Sequence, residues 1–191
     1  MAKKLTDGPF ELRDAVPAPD PQLDVARQVL CERGYSRDIA LDEQFVRLYH
    51  DHHAAHAAAA HAAVLAARQS GVDDPARLFE AGGRAFLYGS WLRRDLALLF
   101  SSADGPPGFV PLRQHLRDAW LRRNAQLFRL DDSPENRLYS ATLTMLIGRG
   151  GREVAVASDF RQAQSMIDGV LRYVRVMVAD RPLPGPRPVS S

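Results

Sequence analysis

The sequence predicts an all-α protein, and three observations carry that prediction. Apolar residues rarely alternate with period two, as half-buried strands would require. Alanine and leucine dominate the middle of the chain. Capping residues followed by proline recur along the chain, at Asp20-Pro21, Asp74-Pro75 and Ser133-Pro134. With 191 residues, 46% hydrophobic and 25% charged, the chain has the balance of an ordinary globular protein. No apolar run is long enough for a membrane span, and Met1 to Pro9 lack the core of a signal peptide. A single cysteine, Cys31, excludes an internal disulfide and fits a reducing cytoplasm. The net charge of +2 is not that of a nucleic-acid coat.

Eight of the 13 prolines fall in the first 21 or last 10 residues, so residues 1–21 read as a flexible arm and 181–191 as a disordered tail. Asp20-Pro21 opens a first helix that Gly34 closes, with Leu23, Ala26, Val29 and Leu30 on its apolar side. A second helical stretch starts near Asp38. A third runs from about Asp42 to Gln69 and stops before Ser70-Gly71. Asp74-Pro75 caps a fourth, from Ala76 to about Tyr88, and Trp91 to Phe100 forms a fifth. The turn Gly105-Pro106-Pro107-Gly108 breaks the chain before a long helix from Phe109 to Leu130. Ser133-Pro134 opens the next, to about Ala157, and Ser158-Asp159 caps the last, to about Ala179. The wide stripe Ala163, Met166, Ile167, Val170, Leu171, Val174, Met177 and Val178 fits either core burial or a helix-pair interface between two copies.

The run from Leu23 to Tyr35, ending Glu32-Arg33-Gly34-Tyr35, resembles the first helix of TetR-type transcriptional regulators. Arg37-Asp38-Ile39-Ala40 looks like the start of their helix-turn-helix, and Leu48-Tyr49-His50 like the end of their recognition helix. Phe86 to Phe100, the stretch Asp104 to Phe109, and Trp120 to Ala125 are similar to the ligand-binding half of some members. Leu138 to Val178 is similar to their dimerising helices.

The resemblance implies an N-terminal three-helix unit, residues 22–65 with its connector, followed by an effector-binding and dimerisation bundle, residues 66–180. It implies a cytoplasmic regulator whose DNA binding is modulated by a small hydrophobic effector. Dimerisation would run through helices 134–157 and 159–179. Arg33, Arg37, Tyr49 and His50 would meet operator phosphates, with Gln44 and Arg47 reading bases. Between Tyr35 and Leu48 this chain is several residues shorter than the family pattern. It carries Leu41-Asp42-Glu43-Gln44-Phe45-Val46 where the family has a turn containing glycine. Helix two is then expected to run into helix three, with no recognition helix presented. From Met1 to Asp51 there are seven basic and ten acidic side chains, a net of −3. A second reading is therefore a TetR-like dimer that binds a small molecule or protein and not DNA.

Five of the six histidines, His50, His52, His53, His56 and His61, lie within twelve residues. On a helix His52, His53 and His56 share an arc of about 100°. The spacings i,i+3 and i,i+4 would let two imidazoles grip one metal ion, but no third ligand lies nearby. The cluster thus reads as the polar face of an alanine-rich connector, as a pH-responsive hinge, or, in a third function class, as a metal-binding helical protein. The expectation is no metal and no cofactor. Phe86, Trp91, Phe100 and Trp120, with Tyr88 and His115 as polar contacts, are expected to line an effector pocket or simply to form core. No phosphate loop, nucleophile elbow or acid–base pair marks the chain as an enzyme.

Overall fold

The computed structural model describes residues 20–101 and 105–179. The expected arm before Asp20, the tail from residue 180 and Asp104 of the turn lie outside the described residues. Every regular element among those described is helical, as the capping pattern predicts. Helix α1 spans Pro21–Arg33; the Asp20 carboxylate accepts from the Gln22 and Leu23 amides at its start, and Gly34 ends it at φ 75°. Residues Arg37–Ile39 form a single 3₁₀ turn, and Ala40 is left-handed at φ 52°. Helix α2 then runs without a break from Asp42 to Gln69. Helices α3 (Pro75–Leu92) and α4 (Arg94–Leu99) are separated at Arg93, so the predicted helix from Trp91 to Phe100 is split between them. Helices α5 (Phe109–Leu127), α6 (Pro134–Ala155) and α7 (Phe160–Ala179) complete the bundle. Asp74 and Ser133 cap α3 and α6 as expected, each followed by proline.

Two hydrophobic clusters organise these helices. The larger joins α3, α6 and α7 through Leu87, Leu143, Ile147, Ile167, Leu171 and Val174, closed at one end by Phe79 against Phe128. The smaller joins α1 and the start of α2 to α4 and the start of α5 through Leu30, Phe45, Tyr49, Leu99, Phe100 and Phe109. Phe45 sits at its centre, edge-on to Phe100 at 5.2 Å and to Phe109 at 4.9 Å. The first helices therefore share their core with α4 and α5. Between the clusters, Ala59, Ala63 and Ala85 form the seam of α2 against α3. Their small side chains let the two helices approach closely.

Candidate functional site

The segment expected to read DNA has a different local structure from a helix-turn-helix. Its second helix is only the turn Arg37–Ile39, and Leu48-Tyr49-His50 lies inside the unbroken rod of α2. The cause is local. Leu41 to Val46 offers no turn glycine, and Phe45 and Leu48 are drawn into the core shared with α4 and α5. Tyr49, expected on a phosphate, is 7% exposed, and its ring packs on Phe100 and Phe109. Burial pushes its phenol pKa up. Arg47, expected on a base, pairs with Asp20 at 2.8 Å. Gln44 is half-buried; Arg33, Arg37 and His50 are exposed. The described part of this region, Asp20 to Asp51, holds four arginines against seven carboxylates.

The histidine face of α2 turns inward, which corrects its reading as a solvated connector face. His52, His53 and His56 lie where α2 meets α3, α4 and α5. The Trp120 indole N–H donates to His53 Nε2 at 2.8 Å. That bond fixes the proton of neutral His53 on Nδ1. His56 Nδ1–H donates to the His52 carbonyl at 2.9 Å, and its Nε2 lies 3.3 Å from Ser90 Oγ. The Ser90 hydroxyl is 3.0 Å from the Phe86 carbonyl, which accepts from it. The His52 ring lies tilted against His56 at 4.3 Å and Phe100 at 5.4 Å, and its Nδ1 is buried without a partner.

Burial holds all three imidazoles neutral. It depresses the pKa of His52 to about 2, with the repulsion that a proton on His56, the Arg93 charge or a proton on His53 would exert adding to the effect. His53 falls to about 4 by burial, then by the neighbouring His56 and His50. His56 also falls to about 4, because burial outweighs the opposing bond to the His52 carbonyl. Among the described residues no three His, Cys, Asp or Glu side chains are disposed to hold a metal ion.

Of the six expected effector contacts, three meet at this cluster. Phe86 lies 4.6 Å from His56 and is edge-on to Trp120 at 5.7 Å, while Phe100 closes the side next to His52. Tyr88 and Trp91 lie instead against Phe160, at 6.0 and 6.4 Å. His115 is exposed on α5. These three are corrected: Tyr88 and Trp91 leave α3 on the side facing the start of α7. The sequence singles out His52, His53 and His56 as one face but not as part of the aromatic cluster, and Ser90 is missed. The histidine spacing was legible, but the seat of Ser90 against His56 requires the α2–α3 crossing to be known. Helix α5 is the lightest wall, with only Phe109 and Asn124 buried along its length.

The apolar stripe of α7 is spent within the chain. Ala163, Ile167, Leu171, Val174 and Val178 are buried against α3 and α6. Gly150 and Gly151 of α6 likewise face inward, toward Val170, Phe86 and Ser90, and do not face a second copy. Leu138, Met145, Tyr173 and Val176 remain outside, each more than 60% exposed. Gly148 and Gly169 have open space around them.

No helix among the described residues is long and apolar enough to cross a membrane. No protein-family model, no curated protein and no solved structure matches this chain.

Proposed function

We propose that this chain is a TetR-like, dimeric, small-molecule-binding protein that does not read DNA through a recognition helix. The observation that carries this reading is the continuity of α2 from Asp42 to Gln69, with Leu48 and Tyr49 buried where the resemblance puts the end of a recognition helix. A groove reader needs a separate helix held at a turn, over a positive surface. The ligand enters the histidine and aromatic face between α2 and α5. Neutral imidazoles there favour an uncharged, flat molecule with one hydrogen-bond donor for His52 Nδ1. A buried, unpaired ring nitrogen costs about 1–3 kcal/mol, which such a donor would recover. The outward apolar residues of α6 and α7 form the dimer seam.

Two measurements on the full chain test the reading. Labelled duplex pools titrated at low salt are expected to show no saturable binding. Thermal-shift screening of flat aromatic compounds, followed by Trp120 emission in a Trp91→Phe background, is expected to find ligands that stabilise the fold and change that emission. Saturable duplex binding with a steep salt dependence refutes the reading and restores the DNA-binding regulator.

A further inference from the structure

A second hollow lies away from the histidines. Helices α2 and α7 each pack along α3 but scarcely meet one another. The gap between them is an open trough of about 960 Å³ over the N-terminal half of α3. Its accessible apolar surface is made of small side chains, Ala67 of α2, Val72, and Ala76 and Ala81 of α3, with Ala63, Ala85, Val174 and Val178 buried beneath them. Arg175 pairs with Glu80 and Arg84 with Asp168, so α7 runs antiparallel to α3 along one rim. The α3 residues lining it run from Ala76 to Ala85, which gives a length of about 14 Å. That is the reach of a medium-length alkyl chain.

The rim charges are unequally committed. Arg175 holds Glu80 and keeps its pKa below the usual carboxylate range. Asp168 is taken by Arg84, and the Asp74 carboxylate accepts from the Ala76 and Arg77 amides at the start of α3. Among the described residues Arg77 makes no ion pair, although it is exposed at the edge of the same apolar floor. A small-residue floor beside one uncommitted guanidinium matches an apolar chain that ends in an anion.

We propose that this trough binds a free medium-chain alkyl carboxylate, its chain over Ala67, Ala76 and Ala81 and its carboxylate on Arg77. The site is separate from the histidine-lined interior and does not depend on it. Calorimetric titration of the full chain with decanoate and dodecanoate, below the concentrations at which they self-associate, is expected to give saturable binding near one per chain. Each added methylene should tighten binding by up to about four-fold until the trough is filled. Arg77→Gln should weaken dodecanoate about two- to five-fold and leave dodecanol unaffected. Ala81→Phe should fill the floor and abolish binding without changing the circular dichroism. Should Ala81→Phe fail to fold, Arg77→Gln still decides, because that side chain is exposed. Absence of saturable binding overturns the assignment. Equal affinity in Arg77→Gln overturns it as well.

Discussion

Acidification should destabilise this protein in a window set by its inward histidines. His56 is 3% exposed, and its pKa is depressed to about 4 from an ordinary 6.5. Between these values the unfolded chain takes up a proton that the folded chain refuses, so stability falls as pH falls. Each pH unit in that window is worth about 1.4 kcal/mol for one such group. At pH 4.5, two units below 6.5, His56 alone removes about 2–3 kcal/mol. His53 adds a smaller share because it is partly solvated, and His52 acts in the same direction. Against a total of roughly 5–15 kcal/mol, this is a large loss. Glu80 and Asp168 have depressed pKa values, so their contribution is present above the ordinary carboxylate range and is lost only below it. Urea unfolding at pH 7, 6, 5 and 4.5 separates the two sets, since the histidine loss comes first. His56→Gln should be less stable at pH 7 yet show a visibly shallower decline between pH 6.5 and 4.5. A flat profile from pH 6.5 to 4.5, or an unchanged slope in His56→Gln, would refute the argument.

Two further outcomes follow from the packing. A Cβ on Gly151 would fall 2.8 Å from Ser90 Oγ and 2.9 Å from Phe86. Gly151→Ala should therefore lose about 1–2 kcal/mol in urea melts despite alanine's better helix propensity. Tyr173, 67% exposed on α7, lies on the proposed dimer seam. Tyr173→Asp should shift sedimentation from dimer toward monomer and leave the helix content unchanged.

The helix boundaries were legible because their signals are local. Asp20, Asp74 and Ser133 cap helices in the structure as their sequences predict, since a cap needs only a side chain and an amide two or three residues on. The absence of a separate helix ending at His50 was also legible, because a missing turn glycine is a local fact. The burial of the histidine face was not. His52, His53 and His56 become interior only because Trp120 and Ser90 arrive from α5 and α3, 67 and 34 residues away from His53 and His56. Tyr88 and Trp91 failed for the same reason. Helical spacing fixes which residues share a face but not which neighbour that face meets.

The fusion of the first helices with α4 and α5 changes what kind of response a bound ligand can produce. Leu30 of α1 and Phe45 of α2 share one core with Leu96, Phe100 and Phe109. Arg27 ties α1 to α4 through Asp95 at 2.7 Å. A hinge between an N-terminal unit and the rest would have to open that core, exposing Phe45, which is fully buried. Burying a phenylalanine is worth roughly 1.5–3 kcal/mol, and its aromatic neighbours add to that barrier. Helix α2 meanwhile spans about 42 Å as one rod, carrying the histidines in its first half and the trough wall in its second. A ligand at either place therefore acts on a rigid element shared by both, and the yielding parts are the lightly packed α5 and the α2–α7 gap. The response favoured by this architecture is a shift of those surfaces within one body, and with it a change in what they expose to a partner.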